Sequence, residues 1–365
     1  MLDLAVVVLS YNQEKYLGQA LESIFSQKCS FNYEVIVADD ASTDGSVEII
    51  QQFQRDHSNL KLMLNKENLG PTENFRHTLS QVHAKYVVLN DGDDYLTDEH
   101  VLQEQFDYLE QHEECSMCFH QCLYKHEDRQ PEDCEVDALF PSAEMLEGHH
   151  YSFCIYDLLR ENFMQTNSIM YRWRFNDEDF NAVFPENCQP CDWLLSILHA
   201  QKGKIHAIRN TGSVYRIHGD SLWYGGGNSK KWVDMNAVPH INFMLYLDNE
   251  IQPLTAGQTE FIVSLSARYI RNGLIDGNTD ALSCFADKYR RWFNAVCYCL
   301  LKDYQFKMAF PYSISLKRVL RNFRKMYFKH LIRDKEKNCY AVSLLIDRLD
   351  KLGIDAYQRS VQTKV

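Results

Sequence analysis

Aspartates dominate the residues of this chain that could do chemistry. Asp39 and Asp40 open the run Asp39-Asp40-Ala41-Ser42-Thr43-Asp44-Gly45-Ser46, and Asp91, Asp93 and Asp94 fall within Asn90-Asp91-Gly92-Asp93-Asp94. A third polar run, Ser10-Tyr11-Asn12, ends an apolar stretch near the N-terminus. Each piece alone has an ordinary explanation: Asp44-Gly45-Ser46 suits a turn and helix cap, Asp91-Gly92-Asp93 a loop, and Tyr11 core packing. Gathered in one crevice, five aspartates would repel one another unless something positive lay between them. Hard divalent cations favour carboxylate oxygen, so a metal bridging protein carboxylates to a diphosphate is the simplest resolution.

Strands must do the gathering. Residues 4–9 form a continuous apolar run with three valines, as expected of a parallel strand buried on both faces. Residues 33–38, 60–64 and 86–89 read as three more strands. Helical spacing separates them: Leu17, Leu21, Ile24 and Phe25 over 15–27, then Val47, Ile49, Ile50 and Phe53 from Ser46, then residues 72–81. This alternation predicts an α/β fold with a doubly wound, mostly parallel sheet, in which ligands bind outside the carboxyl ends of the strands. The three polar runs lie at those ends.

Past Asp98 the texture changes. Residues 99–112 predict a helix, 116–124 a strand, 126–150 a polar surface loop, and 204–208 and 213–217 two short strands. The glycines of Gly225-Gly226-Gly227-Asn228-Ser229 mark a linker. Apolar periodicity then continues in 241–247, 261–270, 292–301, 316–332 and 342–352. The expected organisation is a catalytic α/β domain over 1–224, in two halves, 1–98 and 99–224, followed by a helical region over 225–365.

Composition removes several classes. The 365 residues carry 38 Lys and Arg against 50 Asp and Glu, a net charge of −12, which argues against nucleic acid as the main partner. No apolar run approaches the ~20 residues that span a bilayer, and residues 1–4 lack the positive start of a signal peptide. A cytoplasmic protein is therefore expected, with its twelve cysteines as thiols. Cys115 and Cys118 fall in an expected strand, where odd spacing sends them to opposite faces. That pair and Cys188/Cys191 read as small buried apolar residues rather than a zinc module.

Charge is unevenly spread. Residues 1–120 hold 7 basic and 21 acidic side chains, whereas 304–333 hold 8 basic and none acidic. On a 3.6-residue period, Leu316, Val319, Leu320, Phe323, Met326, Tyr327 and Leu331 share one face of 314–333, and Lys317, Arg318, Arg321, Lys325, Lys329 and Arg333 the other. That pattern suits a peripheral contact with an anionic membrane surface, on the inner face of the cell membrane. A helix packed on the remainder of the protein with a solvated basic face is the alternative.

The ordered set of motifs resembles the inverting glycosyltransferases of family two, which have the GT-A fold. The resemblance rests on Val8-Leu9-Ser10-Tyr11-Asn12, residues 37–46, Asn68-Leu69-Gly70, residues 88–95, Cys191-Asp192-Trp193-Leu194, Gly203-Lys204-Ile205 and Val214-Tyr215-Arg216-Ile217-His218. It covers residues 2–223 and leaves the helical remainder outside. It implies a nucleotide-sugar donor, UDP-linked, a glycan or lipid-linked glycan acceptor, Mn2+ or Mg2+, and a role in cell-surface polysaccharide synthesis. Ser10, Tyr11, Asn12, Asp40, Asp91 and Arg216 would bind the nucleotide, with Tyr11 stacking on the base and Asp40 on its edge. Asp93 would bind the metal, with His218 beside it, and Arg216 and His218 would close over the diphosphate. Asp192 would be the general base. Inversion needs such a base on the acceptor side and a cation on the leaving-group side, separated by the sugar.

The sequence departs from the family pattern in places. Cys188-Gln189-Pro190-Cys191 precedes Asp192 where the family often has an acidic residue, so Asp177, Glu178 and Asp179 stay open as alternative bases. Asn90 stands where an apolar or small residue is common, and His218 also reads as a surface-loop histidine. A nucleotidyltransferase and a non-catalytic nucleotide-sugar or glycan-binding subunit are the competing functions. The first usually has a glycine-rich loop after strand one, which Ser10-Tyr11-Asn12-Gln13-Glu14 is not.

Overall fold

The computed structural model describes residues 1–127, 138–219 and 230–276. The chain divides into two compact units, Met1–Gly225 and Gly226–Val365. In the first, strands β1 (Leu2–Ser10), β2 (Tyr33–Asp39), β3 (Leu60–Leu64) and β4 (Ala84–Asp91) run parallel in the order β3-β2-β1-β4. Helices α1 (Leu17–Phe25), α2 (Ser46–Asp56) and α3 (Pro71–Leu79) make the crossovers. Val6, Val7 and Val8 have no exposed surface, as a strand covered on both faces requires. Register then fixes the site: Ser10 lies opposite Asp39, and Leu9 opposite Asp91, so the polar runs leave the sheet along one edge.

The sheet continues through β9 (Ile169–Arg172), β6 (Cys115–His126), β10 (Lys204–Ile217) and β5 (Tyr95–Leu96). β9 is antiparallel to both β4 and β6, whereas β6 and β10 are parallel, giving a mixed, mostly parallel sheet. Between these strands come α4 (Val101–Gln111), β7 (Ala138–Phe140), α5 (Ala143–Gly148), β8 (Ser152–Phe153), α6 (Ile155–Arg160), a 3-10 turn at Thr166–Ser168, α7 (Phe180–Val183) and α8 (Cys191–Ala200). On one sheet face, Leu17, Leu21 and Ile24 of α1 and Val101, Leu102 and Leu109 of α4 join Leu4, Val6, Val8, Tyr86 and Val88 in one apolar cluster. Each fully buried aliphatic side chain there stabilises the fold by roughly 1.5–3 kcal/mol.

Three local expectations are corrected. The expected strands at 204–208 and 213–217 are one strand, β10, with register irregularities around Ile208–Ser213. Residues 126–150 are not all loop, since β6 reaches His126, β7 pairs with it, and Ser142 caps α5 by accepting the Met145 N–H. Cys115 and Cys118 do not diverge. Lys204 faces Cys115 but Ile205 faces Met117, so Ser116 is an extra residue that resets the alternation, and both thiols join the same cluster. Burial pushes both thiols above their ordinary pKa.

In the second unit, α9 (Lys230–Tyr246) continues through a π-helical stretch at Leu247–Ile251, and α10 (Ala256–Asp276) follows. Val233, Ala237, Ile241 and Met244 are buried at helical spacing, and Asn272 Nδ2 donates to Asp234 Oδ1 at 2.9 Å to join α10 to α9. The linker glycines and the basic stretch 314–333 lie outside the described residues. Among those described, no helix is long and apolar enough to cross a membrane.

Candidate active site

The loops after β1 and β2 are stitched together by reciprocal hydrogen bonds. Asn12, at φ 53°, donates its N–H to Ser42 Oγ at 2.9 Å while its Oδ1 accepts the Thr43 N–H at 2.8 Å. Glu14 N donates to Asp44 Oδ2 at 3.0 Å, and Glu14 Oε2 accepts from Gly45 N at 2.6 Å. Asn tolerates the left-handed region better than most residues, which suits it to this corner. Asn12 is thus a scaffold of the crevice, and Ser10 is 2% exposed beneath it. Tyr11 stands at the rim, 47% exposed, although aromatic side chains usually bury.

Asp40 is buried and heavily used. Its Oδ1 accepts from Asn65 Nδ2 at 2.9 Å and Leu69 N at 2.8 Å, and its Oδ2 from Gly70 N at 2.8 Å. Three of roughly four acceptor positions on the carboxylate are therefore filled from within the protein. The bonds hold the 68–70 loop at the start of α3, where Gly70 has φ +82° and Pro71 begins the helix.

At the end of β4 the carboxylates converge. Removal from water first, and then the charges of Asp93 and Asp192, push Asp91 up to about 7. Asp93 Oδ2 lies 3.0 Å from His218 Nε2. Asp94 is fully buried and holds the loop, accepting from Arg216 N at 2.9 Å and Asn167 Nδ2 at 3.0 Å. Asn90 adds a clamp by donating to the carbonyls of Asp91 and Asp94 at 2.7 and 3.1 Å.

Asp192 comes to this group from the first turn of α8, where helix N–H groups favour a negative side chain. Its Oδ2 accepts the Thr166 hydroxyl at 3.1 Å. Burial raises its pKa, opposed by hydrogen bonds from the Trp193 backbone, Thr166 and Asn162. The three competing acids are all exposed and two are occupied elsewhere. Glu178 pairs with Arg174 at 2.9 Å, and Asp179 caps α7 by accepting from Asn181 N.

Arg216, expected to close over the diphosphate, has its guanidinium engaged by protein groups. It is 3% exposed, its Nε meets Glu127 Oε1 at 3.0 Å, and its two terminal nitrogens donate to the Asp93 carbonyl and Gln19 Oε1. Tyr95 and Tyr16 flank the guanidinium at 4.5 and 5.0 Å from its carbon to the ring centroids. It acts as a buried clamp joining β10, α1 and the Asp93 loop. His218 is a surface histidine neither in burial nor in contacts, being 8% exposed and packed on Tyr16 with ring centroids 4.8 Å apart.

Tyr16, Gln19, Glu127, Thr166 and Asn167 were missed as site residues in the sequence. Thr166 and Asn167 sit in a stretch with neither charge nor periodicity, so no local signal points to them. Among the described residues no group of three or more His, Cys, Asp or Glu stands ready to hold a metal ion. Asp93 and His218 nevertheless fit one. Their imidazole nitrogen and carboxylate oxygen, in hydrogen-bond contact at 3.0 Å, would be its protein ligands, and one or two such ligands suffice where substrate phosphates supply the others.

The mixed, mostly parallel sheet with helices on it and this aspartate set at its carboxyl edge defines an α/β protein with a GT-A-like fold. Residues 5–157 match the family described as Glycosyl transferase family 2. An uncharacterised protein of Mycobacterium bovis is 35% identical over 229 residues, 62% of this chain and 62% of the relative's own length. The poly(ribitol-phosphate) β-N-acetylglucosaminyltransferase TarS of Staphylococcus aureus is 32% identical over 114 residues, 31% of this chain and 20% of that protein. A solved structure of S. aureus TarS 1–349 with UDP-GlcNAc aligns with 98% of this chain and 92% of its own, at 17% identity and a TM-score of 0.49.

Proposed function

We propose that the protein is a metal-dependent inverting glycosyltransferase. It moves a sugar from a UDP-linked donor to a hydroxyl of a glycan or lipid-linked glycan, in cell-surface polysaccharide synthesis. One observation carries the reading: the turn at Thr166–Ser168 bonds both Asp192, on the first turn of α8, at 3.1 Å and Asp94, next to Asp93 on the loop after β4, at 3.0 Å. Two elements distant in sequence thus bring a carboxylate each to the same crevice, which supports assigning them to the two sides of a displacement.

Asp192 takes the proton of the acceptor hydroxyl as the new bond forms. Its raised proton affinity makes it a stronger base than a surface aspartate. Asp93 and His218 hold the cation, Mn2+ or Mg2+. When bound, that cation neutralises charge on the departing nucleoside diphosphate. Tyr11 stacks on the base, Asp40 shapes the slot through the 68–70 loop, and Asp91 faces the ribose side. Arg216 aligns the Asp93 main chain. No second carboxylate acts as a nucleophile, as a retaining mechanism would require.

The UDP-linked donor rests on the family resemblance, and the relative's name, an N-acetylglucosaminyltransferase, makes UDP-GlcNAc the first donor to try. Thermal shift against a panel of nucleotide-sugars with Mn2+ identifies the donor. Release of free UDP separates this enzyme from a non-catalytic binding subunit. Membrane contact at the cytoplasmic face through 314–333 is part of the proposal and rests on the sequence pattern. Liposome co-sedimentation tests it, and unchanged binding after charge reversal at Arg321 and Lys325 contradicts it.

A further inference from the structure

Thr166 and Asn167 are neighbours on one 3-10 turn and grip opposite sides of the site. The Thr166 hydroxyl donates to Asp192 Oδ2 at 3.1 Å, and Asn167 Nδ2 donates to Asp94 Oδ2 at 3.0 Å, one residue from Asp93. Successive side chains on such a turn point about 120° apart, which is why adjacent residues reach different partners. We propose that Thr166 is the positioning residue of the base, orienting the Asp192 carboxylate toward the acceptor while Asn167 ties the same turn to the aspartate loop. The inference rests on the reading of Asp192 as base.

The turn can do this because it is held on every side. Asn167 Nδ2 also donates to the Val214 carbonyl at 2.9 Å, and its Oδ1 accepts the Ser213 hydroxyl at 2.9 Å. Gln165 Oε1 accepts from the Tyr124 hydroxyl at 2.9 Å, fixing the turn to β6. Ser168 folds back, its hydroxyl donating to the Gln165 carbonyl at 2.6 Å, and its own carbonyl accepts from Gln105 Nε2 at 2.8 Å. Thr166 is therefore the member of a rigid turn that faces the chemistry. By donating to Oδ2 it fixes the carboxylate's rotation together with the bonds from the Trp193 backbone and Asn162, and the β-branched side chain limits the rotamers through which it can do so. Asp192 and the aspartate loop keep a fixed separation because one turn holds both.

The test compares Thr166→Val, which keeps shape and removes only the hydroxyl, with Thr166→Ser, which keeps the hydroxyl. UDP release is followed from a panel of UDP-hexoses and UDP-N-acetylhexosamines with Mn2+, where water serves as acceptor and needs the same base. Thr166→Val is expected to lower kcat roughly tenfold, the scale of one hydrogen bond to a charged group, with the KM for donor and the thermal shift by UDP unchanged. Thr166→Ser is expected to stay within about twofold of the unaltered protein. Unchanged kcat in Thr166→Val, or an equal loss of kcat and UDP binding, overturns the inference. Asp192→Asn is measured alongside. If it retains turnover, or if the unaltered protein releases UDP from no donor, the functional reading itself fails and the inference with it.

Discussion

His218 Nε2 meets Asp93 Oδ2 at 3.0 Å, across a sequence separation of 125 residues. The contact joins the loop after β4 to the residue that follows β10, so the candidate cation site forms only when the far half of the sheet has assembled. His218→Ala is expected to weaken Mn2+-dependent UDP binding tenfold or more, on the scale of losing a group that orients or binds at a metal site. Titration of the UDP thermal shift with Mn2+ checks this. Equal Mn2+ dependence in the variant would remove His218 from the site.

Arg216 separates two roles that the sequence leaves merged. If it is the clamp described above, Arg216→Lys loses the planar fork that bonds the Asp93 carbonyl and Gln19, while Glu127 keeps Lys125 at 3.1 Å, at a cost of roughly 1–2 kcal/mol in urea unfolding. A pure diphosphate ligand would instead leave unfolding unchanged and lower only the affinity for UDP.

Tyr11 makes the opposite forecast. Half its surface is open, so Tyr11→Ala should change stability by no more than about 0.5 kcal/mol. UDP affinity should fall roughly tenfold with the loss of one base-stacking face, as isothermal titration would show. A large stability loss with unchanged affinity would return Tyr11 to structural packing.

Buried histidines set an acid limit. Burial lowers His199 to about 3 and His120 to about 4, so both stay neutral in the fold while an unfolded chain takes up protons near 6.5. Their contribution is whole above pH 6.5 and is lost as pH falls toward those lowered values. The cost is about 2 kcal/mol for each at pH 5. The raised carboxyls of Asp91 and Asp192 act in the opposite sense, binding protons in the folded state. Comparison with His199→Gln isolates the histidine: the loss of unfolding free energy from pH 6.5 to 5 should shrink by a similar amount, and an unchanged slope would contradict it.

The parallel half of the sheet was legible because its signal is local. Val6, Val7 and Val8 announce a strand buried on both faces, and the polar runs that follow each strand mark its carboxyl end. The far half was less legible for physical reasons. β9 has only four residues and takes its place between β4 and β6 by pairing across long sequence distances. The extra Ser116 that brings Cys115 and Cys118 into one cluster is visible only in the register with β10. Within the site, the types of Asp91, Asp93 and Asp192 pointed to their place, but what Asp40 and Arg216 touch depends on partners brought by other strands and loops. Those two residues consequently turned out to be more deeply engaged inside the protein than their motifs suggested.

The central claim is that Asp93 and Asp192 serve opposite sides of one displacement. It is tested most directly by measuring UDP release and Mn2+-dependent UDP binding in Asp192→Asn beside Asp93→Ala. The account predicts that both variants lose turnover by a thousandfold or so, that Asp192→Asn binds UDP and Mn2+ as the unaltered protein does, and that Asp93→Ala does not. Near-normal turnover in Asp192→Asn would contradict it.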